Sequence, residues 1–249
     1  MPETSIFSSP PLMQENLEAV GEMTNYQDWI YSCIAPHIGS EVLEAGCGNG
    51  NLAKLIMHNC ALRHYVGVDH NKALCEELHN KLYTEANEQQ DVSWDIVNLD
   101  LEDPQFLSLG VGNFDTIVCL NVLEHIKDDD LLLRRFHPLL ASGGKLILFV
   151  PAFQWLYGNI DVIVHHFRRY RRTALMLQIQ KAGFRITETR YINALGMFAW
   201  IWHSKILRLT VHRRSEMRTW DRFVPALRWF EERVPIPFGL SLFFVAIKE

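Results

Sequence analysis

Along the chain, apolar residues follow two alternating rhythms. Compact runs at 42–45, 63–69, 92–97, 114–120 and 145–151 are dense in β-branched and aromatic residues and end at glycines, asparagines or acids. Such runs read as strands, and 114–120 as one buried on both faces. Between them, 52–60, 71–89 and the stretch opening at DDDLLLRRF read as helices, the last with acids at its N-terminus, where the helix dipole favours them. A further helix is predicted over 25–38, where Tyr26, Trp29, Ile30, Cys33 and Ile34 form one stripe. Later in the chain, a helix over 173–182 stops at Gly183, a sixth strand covers 184–192, and a seventh at 240–247 closes the sheet. Strands alternating with helices predict an α/β fold.

Length and composition narrow this picture. With 249 residues, 48% of them hydrophobic, the chain can bury one substantial core, so a single α/β domain with an elaboration is expected. Residues 1–24, with Pro2, Pro10 and Pro11 among serines, are expected to be a mobile arm, and 25–249 the domain. No signal peptide or membrane span is read, and the expected location is cytoplasmic. Five scattered cysteines without C-x-x-C spacing suggest reduced thiols and no zinc site.

Net charge changes the picture more through its distribution than through its sum of -5. Residues 1–160 hold 8 Lys+Arg against 22 Asp+Glu, and 161–249 hold 16 against 7, so the two parts carry -14 and +9. A basic second half suits an anionic partner or surface, or helix faces paired with the acidic half.

The candidate chemistry begins at EAGCGNG, residues 44–50, where a strand runs into glycines at alternate positions and then a helix. Gly46, Gly48 and Gly50 permit positive φ and close approach of a ligand. Asp69, ending the next strand, stands where a ribose would lie at the carboxyl edge of an open sheet. The spacing G-x-G-x-G differs from the G-x-G-x-x-G of nicotinamide dehydrogenases, which disfavours that class. Together with Asp100 in NLDLEDP and the strand FDTIVCLNVLEHI, this pattern resembles class I S-adenosylmethionine-dependent methyltransferases.

That resemblance implies a Rossmann-like, seven-stranded, mostly parallel sheet with helices on both faces. It implies S-adenosylmethionine as cofactor, with Glu44, Gly46, Gly48 and Gly50 at its methionine part and Asp69, beside His70, at the ribose. Asp100 and Leu101 would meet the adenine, Asn121 would lie beside the sulfonium, and Tyr26 would help close the pocket. Asn-Val-Leu-Glu at 121–124 departs from the Asn/Asp-Pro-Pro-aromatic motif of nucleobase N-methylation. The related metal-binding pattern Glu-x-x-Glu-His has its first acid replaced by Asn121, so no metal is counted, although Glu124, His125 and His166 are the residues that would form such a site. Glu124 is read instead as orienting His125 or capping the following helix.

The segment PAFQWLYGNIDVIVHHFRRYRR resembles the substrate loop of a bacterial subgroup of that family, with His165 where the subgroup has glycine. Trp155, Tyr157, Asp161, Arg168, Arg169 and Tyr170 are its candidate substrate contacts. His166 is the first candidate for general base, since histidine suits proton removal near neutral pH, and His125 is the second. Between the last two strands, 196–237 reads as a helical cap insertion, with Trp200, Trp202, Trp220, Trp229, Phe223, Phe230 and eight Lys+Arg. A roof over the acceptor is the favoured role, with a dimer interface and a peripheral membrane surface as alternatives. The expected activity is methyl transfer to an O or N atom of a small-molecule metabolite. The alternatives are a lipid- or glycan-linked acceptor at a membrane surface and a non-catalytic S-adenosylmethionine-binding protein. Nucleic acid is not the expected partner.

Overall fold

The computed structural model describes residues 21–86, 92–206 and 214–249. The expected arm therefore lies almost entirely outside the described residues. Seven strands form one sheet: β1 Glu41–Ala45, β2 His64–Asp69, β3 Ser93–Asn98, β4 Phe114–Leu120, β5 Leu140–Pro151, β6 Phe184–Ile192 and β7 Ser241–Lys248. Their order is β3-β2-β1-β4-β5-β7-β6. β1 to β5 pair in parallel, and β7 alone runs antiparallel between β5 and β6.

The period-two geometry of a strand sends alternate residues to opposite faces, and here both faces are dry. In β5, Leu146, Leu148 and Val150 join one core, while Ile147 and Phe149 join the other. The first core is closed by α4 (Asp129–Leu139) through Leu132, Leu133, Phe136 and Leu139 and, after the short α5 (Asn159–Ile163), by α6 (Arg172–Lys181) through Leu175 and Ile179. The second is closed by α1 (Thr24–Ile34), α2 (Asn51–Asn59) and α3 (Lys72–Ala86), with Trp29, Ile34, Ile56, Leu78 and Leu82 buried against β1, β2 and β7. Asp128 caps α4, its carboxylate accepting the Leu131 N–H at 2.9 Å, which is the capping role expected for Glu124.

β5 begins earlier than the sequence suggests. Leu140 already pairs with Phe114, and the register then breaks before Thr116 meets Lys145. Gly143, at φ +75, accommodates the irregularity, so the Gly143-Gly144 turn is a kink within the strand.

The insertion contains α7 (Ala194–Trp200), a π-helix over Ile201–Ile206, α8 (Arg214–Asp221) and α9 (Val224–Glu231). It is fastened to the domain by two acids, of which Asp221 is buried. The Asp221 carboxylate accepts the Asn25 and Tyr26 N–H groups at 3.1 and 3.0 Å, and Glu231 accepts those of Asn193 and Ala194 at 2.9 and 2.7 Å. Among the described residues, no helix is long and apolar enough to cross a membrane.

Candidate functional site

β1 ends at Ala45, and the turn after it hooks onto β2: the Gly46 and Cys47 N–H groups both donate to the Val68 carbonyl, at 2.7 and 3.0 Å. Gly46, Gly48 and Gly50 all have positive φ, but they serve different ends. A Cβ on Gly46 would meet Val122 Cγ2 at 2.2 Å, and one on Gly50 would meet Leu78 Cδ1 at 2.2 Å. Those two glycines let the turn pack against the β4 loop and α3. A Cβ on Gly48 would meet nothing within 4 Å. Open space lies before Gly48, and its N–H donates to Asp69 Oδ2 at 2.9 Å. A ligand fits here: a backbone free of side chain stands beside a carboxylate at the carboxyl edge of the sheet.

Asp69 is buried, and its other oxygen accepts the Asn71 N–H at 2.8 Å. His70 beside it is exposed, with Nδ1 3.5 Å from Asp69 Oδ1. Asp100 is exposed at the end of β3 and caps the Glu102 N–H at 2.8 Å, while the carbonyl of buried Leu101 accepts from Arg135 Nη1. Asn121 follows β4 at φ +53, its N–H bonded to the Phe149 carbonyl. Tyr26 packs edge-on against Trp29, and its hydroxyl lies beside Ser241 at the start of β7 and Asn193 just after β6.

Glu44 lies beneath the glycine turn, where Tyr65 Oη donates to its Oε2 at 2.6 Å. Burial pushes the Glu44 carboxyl up to about 8, the Asp69 charge adds to this, and the Tyr65 hydrogen bond only partly offsets it. A carboxyl raised in the folded state binds a proton that the unfolded chain releases near 4.5, so stability falls as pH rises from there through about 8. Glu44→Gln is expected to remove this group's share of the slope, about 1.4 kcal/mol per pH unit at its steepest, in denaturant unfolding followed across that window.

The second part of the site forms where the β4 loop meets the segment after β5. Glu124 is fully buried, and neither carboxylate oxygen has a hydrogen-bond partner. It neither orients His125 nor caps a helix. Its Oε1 lies 3.7 Å from His166 Nε2. Burial pushes Glu124 up to about 7 against the opposing pull of His166 and Arg169. On its other side, His166 Nδ1 lies 2.8 Å from Asp161 Oδ1, which also accepts from Arg169 Nε at 2.8 Å. Asp161 Oδ2 accepts the Gly158 N–H at 2.8 Å. Burial raises the Asp161 pKa, but His166, Arg169 and the Gly158 N–H outweigh it and hold the carboxyl below its usual range. The His125 ring packs edge-on against His166, with centroids 4.6 Å apart. Burial, then the charges of His166, His165 and His70, pull His125 down to about 3, which makes it a poor proton acceptor.

Three expected substrate contacts are turned inward. The side chains of Asp161 and Arg169 are 0% and 2% exposed, and Arg169 stacks over the Trp200 ring at 4.2 Å. The Tyr170 hydroxyl is buried between the Leu123 carbonyl and the Asp129 carboxylate, at 3.0 and 2.9 Å. Arg168 bridges Asp129 and the Lys127 carbonyl. Most of their polar atoms hold the segment together, although Arg169 Nη1 is left without a hydrogen-bond partner. Tyr157 also acts on the segment itself, donating to the His166 carbonyl at 2.6 Å, while Trp155 is exposed. Glu124, His125 and His166 each offer a ligand atom, all within 4.8 Å of one another, so these three could share a divalent ion.

Residues 17–189 match the family model described as a methyltransferase domain. The chain belongs to the class I S-adenosylmethionine-dependent methyltransferases. S-adenosylmethionine is thus the cofactor of this methyltransferase. It is 31% identical over 157 residues to a ubiquinone biosynthesis O-methyltransferase of Coxiella burnetii, covering 58% of this chain and 63% of that protein. A ubiquinone biosynthesis O-methyltransferase of Xanthomonas euvesicatoria is 32% identical over 164 residues, covering 60% and 64%. The methyltransferase thus spans less than two thirds of the length of either relative. In fold it is similar to Haemonchus contortus phosphoethanolamine N-methyltransferase 2 in complex with S-adenosyl-L-methionine. The TM-score is 0.60 at 17% identity, covering 100% of this chain and 61% of that one.

Proposed function

We propose that this methyltransferase moves the methyl group to the oxygen of an acidic, phenol-like hydroxyl on a small-molecule acceptor, with His166 taking the hydroxyl proton. The observation that carries this reading is the Asp161–His166 pair. Asp161 is kept ionised and accepts from Nδ1, which leaves Nε2 as the imidazole's basic atom, beside Glu124. When bound, S-adenosylmethionine supplies a methyl group on a cationic sulfur and leaves as a neutral thioether. The protein has to align the acceptor and remove one proton. A phenol, with a pKa near that of tyrosine at about 10, gives up its proton to a histidine base more readily than an aliphatic hydroxyl does. The names of the two O-methyltransferase relatives support an oxygen acceptor.

The test is transfer of labelled methyl from S-adenosylmethionine to parallel panels of phenols, aliphatic alcohols and amines. Labelling of phenols is expected; labelling of amines alone would overturn the reading. At the cofactor edge, Asp69→Ala is expected to weaken S-adenosylhomocysteine binding about 10- to 100-fold by calorimetry. It removes a charged acceptor and frees the two N–H groups that shape the turn.

A further inference from the structure

Most described aromatic residues of the insertion face solvent. Trp200 alone among its tryptophans has a described inward anchor, with Nε1 donating to the Leu156 carbonyl at 3.0 Å and its ring under Arg169. Leu195, Phe198 and Trp202 lie at helical spacing along α7 and the π-helix, Trp220 and Phe223 at the end of α8, and Trp229 and Phe230 on α9. All seven are between 45% and 59% exposed. They belong to one braced unit: His203 pairs with Glu216 at 3.2 Å, Glu231 ties α9 to the start of α7, and Phe198 packs edge-on against Phe238.

We infer that this outward face rests on an anionic lipid bilayer. Residues 196–237 hold eight Lys+Arg against four acids. Asp221 accepts from Asn25 and Tyr26 and Glu231 from two backbone N–H groups, Glu216 lies 3.2 Å from His203, and Glu232 pairs with Arg228, while Arg218 reaches out of the insertion to Glu22. Exposed Arg222 flanks Phe223, and Arg233 stacks on the Trp229 ring at 4.4 Å. Indole rings alternating with guanidinium groups match the headgroup layer, where the ring enters the acyl boundary and the cation meets phosphate. The charge asymmetry gives the approach a direction, because an anionic surface attracts the part carrying +9 and repels the part carrying -14. A second copy docked face to face would oppose two such cationic surfaces.

The test is co-sedimentation of the full chain with vesicles of phosphatidylcholine alone and of phosphatidylcholine mixed with phosphatidylglycerol, with tryptophan emission read in parallel. Binding with a blue shift is expected only on the mixed vesicles, weakening as salt is added. Arg222→Ala and Arg233→Ala should each lower the partition about fivefold, and Trp229→Ala with Phe230→Ala about tenfold or more. Far-ultraviolet dichroism and S-adenosylhomocysteine binding should be unchanged in all of them. Failure of the folded wild type to bind mixed vesicles, equal binding to both vesicle types, or binding retained by every variant would overturn the inference. So would a dimer dissolved by the aromatic variant in the absence of vesicle binding, which would assign the face to a second copy.

Discussion

Replacing His166 by alanine is expected to lower kcat about a thousandfold with the acceptor found in the labelling screen, within the 10²- to 10⁴-fold range of a lost general base. S-adenosylhomocysteine binding should hardly change, because His166 belongs to the segment after β5 and not to the Gly48–Asp69 edge. His125→Ala should cost far less as a base, since burial and three neighbouring histidines keep that ring neutral down to about 3. The geometry allows one competing outcome to be separated. Glu124, His125 and His166 could share a divalent ion. If they act in that way, chelation would abolish wild-type activity and His125→Ala would be as damaging as His166→Ala.

The sheet was legible because local rules dictate it. Strand runs bounded by glycine and acids, with helices between, admit few topologies, and all seven strands are found where those runs lie. The start of β5 was hidden because a Gly-Gly pair reads equally as a turn or as a kink, and only pairing with Phe114 decides between them. The polar segment around His166 was legible as a cluster but not in its direction. Asp, Arg and Tyr within a few positions look alike whether they face a ligand or one another. The signal that could have found the Asp161–His166–Arg169 group is its composition, since an acid, a histidine and an arginine close in sequence can neutralise one another when buried. Glu124 was misplaced for the opposite reason, being a lone acid whose burial depends on a segment some forty residues away in sequence. The insertion's tryptophans fit an inward or an outward stripe equally well, and spacing alone carries no sign for the face.

Asp161→Asn separates the structural and chemical roles of this group, and its stability cost is expected to be about 3–5 kcal/mol in denaturant unfolding. The carboxamide has the shape of the carboxylate but not its charge, so Arg169 is left with its side chain 2% exposed and without its principal counter-ion. Glu124 contributes only at longer range, and Arg169 Nη1 already lacks a hydrogen-bond partner. Removing the cation as well, in Asp161→Asn with Arg169→Met, should return most of the lost stability, because two uncharged side chains of similar reach replace the buried pair and the aliphatic chain can still pack on Trp200. Activity should not return with it. The asparagine can donate to Nδ1 as readily as accept from it, so the His166 tautomer that leaves Nε2 basic is no longer enforced. A double variant that is stable, binds S-adenosylhomocysteine and still turns over about a hundredfold or more slowly would identify Asp161 as the positioning residue for His166. A double variant that recovers turnover along with stability would reduce Asp161 to the counter-ion of Arg169 and leave His166 without an orienting partner in the reaction.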